Sequence, residues 1–363
     1  IAEAVSLSPS QVRYWLRAWE EQRLGIFPGD LPAEPQPLWP GVHMPRLPLE
    51  LRNKVGMLPD DSMAEAGRKS LLFHFERMLF NEPGSRLGED IEAVHDMRVA
   101  TRRMRSAFRL FAPFLDPDVT RPHIRQLQRL GRVLGEVRDL DVFKEKAGHF
   151  MQTAPEVDLS PLLTAWDQRL VEARAALIAH LDNKKFDRFV EKFHVFVITP
   201  GMGARHLPAP SPVQVRHIAP RLIYEHYEQV RAYEAVLEDA PPTTLHALRI
   251  DCKRLRYTLE FFEEVMGPEV KMIIKEMKIL QDHLGDLNDA EVVGHVLQDF
   301  IAQQQAAHSG VPVFLRPSLE GVMAYASAKE DEKRRLMETF PPVWANFNRH
   351  EVRRCLALAV AAL

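Results

Sequence analysis

Cysteine is nearly absent from this chain of 363 residues: Cys252 and Cys355 are the only two, and neither belongs to a CxxC or Cys/His ligand pattern. This disfavours a cysteine-based zinc site and a disulfide framework, and we expect a reducing, cytoplasmic location. No apolar run approaches the roughly 20 residues that a membrane-spanning helix needs, so no membrane partner is expected. The phosphate-binding pattern GxxxxGK[ST] is also missing, which argues against a nucleoside-triphosphate site.

An excess of charge of one sign is missing as well, since 47 Lys and Arg stand against 50 Asp and Glu. The overall charge therefore indicates no polyanion partner, and any basic site must come from local clustering. Strand-like alternation of apolar and polar residues is scarce. From about residue 60 onward, apolar residues recur at three- and four-residue spacing instead, which predicts an all-α protein.

Prolines divide the chain into sections. Residues 28–48 hold seven prolines, which exclude a regular helix and predict an extended linker. We therefore predict a small helical unit over residues 1–27, a linker over 28–59 and one large helical domain over 60–363. A second cluster of proline and glycine, between 199 and 212, divides this domain into halves of about 60–198 and 215–363.

The two halves carry the same pattern of residues. The segment HDMRVATRRMRSAFRLF begins at His95, and HALRIDCKRLRYTLEFF begins at His246, at an offset of 151 residues. Further along, LGEVRDLDV from Leu134 matches LGDLNDAEV from Leu284 at an offset of 150 residues. Two matches at nearly one offset predict an internal duplication.

Each copy of the first segment, wound as a helix at about 100° per residue, places its basic residues in one row beside an apolar face. Arg103 and Arg254 lie off these rows, and we expect them to face a neighbouring helix. The His95 row consists of His95, Arg98, Arg102, Arg105 and Arg109, and the His246 row consists of His246, Arg249, Lys253 and Arg256.

The next helix of each half repeats this arrangement. Glu260, Ile279 and Asp282 stand where the first half has arginines, so the second half is expected to be the less basic. The Arg121 row consists of Arg121, Arg125, Arg129 and Arg132, and the Lys271 row consists of Lys271, Lys275 and Lys278.

Like charges three and four residues apart, with few carboxylates beside them, destabilise a helix. A solvent-exposed charged face is the alternative interpretation, but such faces usually mix acidic and basic residues. A bound anion accounts for the rows better, because arginine contacts phosphate through two N–H groups and lysine adds a point charge. Rows on several helices suit an extended polyanion. His95 and His246, at the head of their rows, are either ligand contacts or core and capping residues.

The patterns HxxRVxxRRxR, HxxRIxxKRxR and LGxxRDLDV resemble the CHAD family, the conserved histidine α-helical domain, over roughly residues 60–363. The resemblance implies two four-helix-bundle-like halves, related by pseudo-twofold symmetry, with basic helices around a central cavity. It also implies a protein that binds inorganic polyphosphate and associates with polyphosphate granules, without catalysis or a cofactor. The motif residues are His95, Arg98, Arg102, Arg103, Arg105, His246, Arg249, Lys253, Arg254 and Arg256.

The segment LSPSQVRYW, residues 7–15, resembles the turn and recognition helix of MerR-type helix-turn-helix proteins. Such a helix places its first polar side chains in the major groove of DNA. Here those side chains are Ser10, Gln11, Arg13 and Tyr14. The alternative is a helical appendage that docks on the helical domain or on a partner.

Two rival functions remain. An enzyme acting on polyphosphate would need carboxylates for Mg²⁺. Glu330 and Glu332 form an ExExR pattern with Arg334, similar to the ExExK motif of CYTH triphosphatases, but a solvated helix face is the expected interpretation.

The other rival is a polyphosphate-sensing transcriptional regulator that uses the N-terminal unit on DNA. A metal site at His95 and His246 is disfavoured, because the neighbouring arginines repel cations.

Overall fold

The computed structural model describes residues 51–238, 240–312 and 316–363. Within these ranges the chain forms eleven α-helices and three short 3-10 helices, with two isolated bridges and no β-strand. The prediction of an all-α protein is confirmed. None of the helices in these ranges is long and apolar enough to cross a membrane. The helical unit predicted over residues 1–27, and the linker up to residue 50, lie outside the described residues.

The helices fall into two runs, separated by the loop at residues 199–214 where the sequence predicts a break. The 3-10 helices are Ala112–Phe114, Ala232–Val236 and Glu263–Val265. The first run is α1 (Met63–Phe80), α2 (Glu82–Leu87), α3 (Ile91–Phe111), α4 (Pro117–Thr153), α5 (Ser160–Leu181) and α6 (Lys184–Ile198). The second run is α7 (Val215–Arg231), α8 (Pro242–Phe262), α9 (Val270–Ala307), α10 (Glu320–Phe347) and α11 (His350–Ala361).

Local sequence explains where the row-bearing helices of the first run begin. Asp90 precedes α3, and its side chain accepts a hydrogen bond from the backbone N–H of Glu92 at 2.9 Å. Asp116 precedes α4 and caps the N–H of Asp118 at 2.8 Å, with Pro117 at the first helical position. A carboxylate at the N-cap satisfies an N–H group that has no partner within the helix, and proline suits the first turn because it lacks that N–H.

The apolar faces of α3 and α8 form much of the core. Met97, Met104 and Phe111 of α3 are buried, as are Leu248 and Phe262 of α8. Burying each such side chain contributes roughly 1.5–3 kcal/mol to the free energy of unfolding. Helix α3 packs on α1 and α4, and helix α8 packs on α7 and α9. The apolar side of each helix therefore contributes to the core, and the basic rows lie beside it.

The two runs are joined through these helices. α3 contacts α8, and the Phe111 ring meets Phe261 and Phe262 at centroid distances of 6.1 and 6.0 Å. The starts of α1 and α7 are also linked, because the N–H of Met63 donates to the carbonyl of Val213 at 2.7 Å. The His95 row and the His246 row consequently meet at the junction between the runs.

Residues 51–57 belong to the part of the predicted linker that the structure describes. They are hydrogen-bonded to the helices. The backbone N–H groups of Val55, Gly56 and Met57 all donate to the carboxylate of Glu264, in the 3-10 helix that follows α8. The guanidinium of Arg77, in α1, donates to the carbonyl of Arg52 at 2.7 Å. This stretch therefore contacts both runs, which the prediction of an extended linker did not foresee.

Candidate functional site

A cavity of about 600 Å³, here called the first cavity, opens where α3, α4, α7 and α8 meet. Basic side chains of both runs line it, and none of its lining residues is an aspartate or glutamate. It is therefore a strongly electropositive surface in a chain of net charge −3. Its basic residues are Arg98, Arg102, Arg105, Arg109, Arg249, Lys253 and Arg254.

Two glycines of α4 make room for the arginines. A side-chain carbon at Gly131 would lie 3.2 Å from Nη1 of Arg105, and one at Gly135 would lie 3.8 Å from Nε of Arg98. A larger residue at Gly131 would push against the guanidinium. The sequence interpretation did not assign these glycines a role, although Gly135 is repeated as Gly285 in the second matching segment.

The ring of Tyr257 lies among four cations. The Cζ atom of Arg103 is 4.3 Å from the ring centroid, and the other three cationic groups, of Arg256, Arg102 and Lys253, are at 5.1, 5.8 and 5.9 Å. The negative face of an aromatic ring attracts cations, so Tyr257 offsets part of their mutual repulsion. It is a buried residue of the site that sequence reasoning missed, because its position in the second segment corresponds to Ser106 in the first.

Several basic groups are buried without enough hydrogen-bond partners or opposite charges to offset the cost of burial. The Nε atoms of Arg102 and Arg249 are buried and have no hydrogen-bond partner within the described residues. Burial lowers the pKa of Arg102. Burial, followed by the charges of Arg102, Arg249, Arg98 and Arg256, lowers the pKa of Lys253 to about 7. Buried N–H groups without partners are uncommon and costly. The site thus presents hydrogen-bond donors and positive charge that an anion would satisfy.

Some of the basic residues do have acidic partners, which corrects the expectation that the rows are almost uncompensated. Arg98 pairs with Asp139 of α4 at 3.3 Å, and Arg254 pairs with Asp251 at 2.8 Å. Glu260 of α8 accepts hydrogen bonds from both Arg103 and Arg256. Arg103 and Arg256 consequently point at Glu260 and do not line the first cavity.

The two histidines of the motif lie outside the lining of the first cavity. Burial and the charge of Arg138 lower the pKa of His95, so its imidazole is neutral at pH 7 in the unbound protein. The ring of His246 is exposed, and its Nδ1 is 2.8 Å from Oδ1 of Asn288. The histidine that does line the cavity is His226 of α7, whose Nδ1 is 2.8 Å from Oγ1 of Thr258. It stands outside the matched segments, where no sequence signal pointed to it.

The Arg121 row on α4 and the Lys271 row on α9 are solvent-exposed, and none of their members lines the first cavity. Arg121 is 3.5 Å from Asp118, an exposed pair of little energetic weight. Within the described residues, the other members of both rows form no ion pair. The four rows thus separate into two that meet at the cavity and two that face solvent.

The remaining candidate residues stand apart from this site. Glu330 and Glu332 lie on α10, where Lys329 contacts Glu332 at 2.6 Å and Lys333 contacts Glu330 at 3.9 Å. Ser10, Gln11, Arg13 and Tyr14 are outside the described residues. In the part of the chain that the structure describes, no group of three or more His, Cys, Asp or Glu could hold a metal ion.

These features correspond to a known family. The model of the CHAD domain matches residues 69–298, which is more than half of the chain, and the chain belongs to the CHAD domain family. Among solved structures it is similar to the CHAD domain from the plant Ricinus communis, at 22% identity and a TM-score of 0.57, covering 88% of this chain and 98% of that one. It is also similar to PptA from Streptomyces chartreusis, at 14% identity and a TM-score of 0.57, covering 78% of this chain and 99% of that one. No curated protein matches. At these identities the two structures support the fold.

Proposed function

We propose that this protein binds inorganic polyphosphate in the first cavity and neither cleaves nor forms the polymer. The observation that carries the proposal is the convergence of seven basic side chains, from both runs of helices, on a cavity without a carboxylate in its lining. Membership of the CHAD family supports the same ligand class.

The chemistry of the lining suits a chain of phosphates. Arginine binds phosphate through parallel N–H groups, stays charged and is weakly hydrated, so it tolerates the partial burial seen for Arg102. The buried Nε groups of Arg102 and Arg249 would gain acceptors from phosphate oxygens. Successive arginines of the His95 row are about 4.5–6 Å apart along α3, so several neighbouring phosphates would be contacted at once.

The same lining supports the absence of catalysis. Phosphoryl transfer enzymes hold Mg²⁺ through carboxylates beside the reacting phosphate. Every acidic residue described here lies outside the lining of the first cavity. The positive charges of that lining would also repel a divalent cation.

The test is calorimetric titration with polyphosphate, using orthophosphate and DNA as comparison ligands. The variant that replaces Arg98, Arg102 and Arg105 by Ala should bind polyphosphate at least about 100-fold more weakly, since each charge-assisted contact is worth roughly 1.5–3 kcal/mol and less where exposed. Its melting temperature should be unchanged or raised, because like-charge repulsion is relieved.

A matched control removes the same charge elsewhere, by replacing the exposed residues Arg188, Arg334 and Arg335 with Ala. This control should retain nearly the full affinity. If the Arg98, Arg102 and Arg105 variant stays folded and binds as tightly as the wild type, the polyphosphate site lies elsewhere. If it unfolds, these arginines are structural.

We further propose that polyphosphate binding holds the protein at polyphosphate granules in the cytoplasm. A fluorescent fusion of the full chain should collect at granules stained for polyphosphate, and the Arg98, Arg102 and Arg105 variant should remain diffuse. A wild-type fusion that is diffuse in granule-rich cells would count against this role while leaving the binding proposal intact.

A further inference from the structure

A second cavity, of about 1000 Å³, lies on the other side of the contact between α3 and α8. It is bounded by α1, α3, α8, α9 and residues 51–55. Positions that the sequence pairs at an offset of 151 residues line opposite cavities: Arg109 and Arg254 line the first, whereas Glu260 and Arg103 line the second. The correspondence between the cavities is only partial, because the first cavity also holds both members of four other matched pairs: Arg98 with Arg249, Arg102 with Lys253, Ser106 with Tyr257, and Leu110 with Phe261.

The cavities differ in charge. Seven basic residues and no acidic ones line the first. In the second, Lys54, Arg77, Arg103 and Lys271 are balanced by Asp96, Glu260, Glu263 and Glu264. The two cavities thus present different electrostatic potentials, and a polyanion is attracted to only one of them.

Glu260 has the central place in this difference. Its side chain is only 15% exposed, and its two oxygens accept hydrogen bonds from Arg103 of α3 and from Arg256 of α8, the latter at 2.8 Å. The matching residue of the first run is Arg109, which lines the first cavity. A carboxylate between two guanidinium groups makes the contacts that a phosphate would otherwise make.

We infer that Glu260 confines polyphosphate to the first cavity, because its carboxylate occupies the anion position of the second cavity. This inference rests on the proposed function and assigns Glu260 as its specificity-determining residue. One short polyphosphate should then bind per chain, although the fold has a second cavity with basic residues in its lining. Removing the charge of Glu260 frees Arg103 and Arg256 and leaves the second cavity with a net positive lining.

The experiment is calorimetric titration with tripolyphosphate of the wild type and of Glu260→Gln, which keeps the shape of the side chain and removes its charge. The wild type should bind one molecule per chain. The variant should bind a second molecule, with affinity at the second cavity raised at least about tenfold, or 1.4 kcal/mol. Glu330→Gln removes an equal charge from an exposed glutamate on α10 and should still bind one. The double variant Glu260→Gln, Arg103→Gln should lose the gain.

A second measurement uses only the wild type, in case Glu260→Gln does not fold. Amine acylation followed by mass spectrometry reports which lysines tripolyphosphate protects. Lys253, in the first cavity, should be protected, whereas the exposed Lys54 and Lys271, in the second, should stay reactive. Protection of Lys54 and Lys271, two molecules bound per wild-type chain, or a folded Glu260→Gln that still binds one, would each overturn the inference. A wild type that binds no polyphosphate would instead remove the proposed function.

Discussion

At the scale of single residues, Lys253 shows how closely the positive charges of the first cavity are packed. Burial acts most strongly on its ammonium group, and the charges of Arg102, Arg249, Arg98 and Arg256 add to that effect. Each disfavours the charged form, which is why the pKa of Lys253 falls to about 7. His226, on α7, lines the same cavity, and burial lowers its pKa too, so it stays neutral above pH 7.

A bound polyphosphate should raise the pKa of Lys253, because the anion favours the charged ammonium. Binding should therefore take up about half a proton at pH 7. Affinity should be greatest below pH 7 and should fall as the pH rises above it, where the free protein must gain a proton to bind. Calorimetry in two buffers of different ionisation enthalpy measures this uptake.

Lys253→Arg is the control for this prediction, since arginine keeps its charge throughout the range. Its affinity should vary less with pH, and any variation shared with the wild type belongs to the phosphates. Equal proton uptake by the two proteins would show that Lys253 is not the titrating group.

At the scale of helices, the same kind of pattern produces two different surfaces. The rows on α3 and α8 meet each other, because these helices form the contact between the runs. The rows on α4 and α9 face solvent. Burial, and after it the charge of Arg129 on α4, lowers the pKa of His180 at the end of α5. Helix periodicity predicts which residues share a row, whereas the neighbours of the helix decide what the row faces.

Replacing Arg121, Arg125, Arg129 and Arg132 by Ala should weaken the binding of long polyphosphate and leave tripolyphosphate nearly unaffected. A long chain extends beyond the first cavity and reaches the exposed row, while a short one does not. The slope of log affinity against log salt concentration should become shallower by roughly 0.7–0.9 per lost phosphate contact, as for nucleic acids. Titrations at several salt concentrations measure it, and the Arg188, Arg334 and Arg335 variant is the control. An equal loss for both chain lengths would place this row at the cavity itself.

At the scale of the whole molecule, the two runs match in the length of their main helices: 18 and 17 residues for α1 and α7, 21 each for α3 and α8, and 37 and 38 for α4 and α9. We propose that this order reflects the internal duplication that the sequence predicts. Residues 51–57 hold the two runs together at the edge of the second cavity, through Glu264 and Arg77.

Deleting residues 1–48 should leave polyphosphate affinity and thermal stability unchanged, because the contacts of Val55, Gly56 and Met57 with Glu264 are retained. Deleting residues 1–58 removes those contacts and should lower the melting temperature by at least about 2 °C. Scanning calorimetry and titration of both truncations test this. A large loss of affinity in a folded protein that lacks only residues 1–48 would show that the N-terminal segment takes part in binding.

Replacing Glu330 and Glu332 by Gln should change neither polyphosphate affinity nor phosphate release. These glutamates lie on α10 in contacts with Lys333 and Lys329, and neither lines the first cavity. Phosphate release from polyphosphate, assayed with and without Mg²⁺, should stay at the background level in both proteins. Release by the wild type that the variant lacks would make α10 a catalytic element.

Much of the architecture was predictable because its causes are local. The four- and three-residue spacing of Met104, Phe108 and Phe111 predicts an amphipathic helix, and α3 buries all three. The prolines and glycines of residues 199–212 interrupt helices, and the structure has a loop there. The repeated basic motif predicted the CHAD family, which the family match confirms. The members of each basic row could also be predicted from the sequence, because helix periodicity determines which residues share one side of a helix.

The amino-acid sequence by itself determined the helices, the family and the rows, since backbone hydrogen bonding and hydrophobic periodicity act over a few residues. Only the tertiary structure decided which rows converge, that Tyr257 lies beneath the cations, and that Glu260 binds Arg103, 157 residues away. A charge acts on whatever packing brings near it, regardless of separation along the chain. In the sequence, Glu260 indicates only that the second half is less basic than the first. In the folded protein it links α3 to α8.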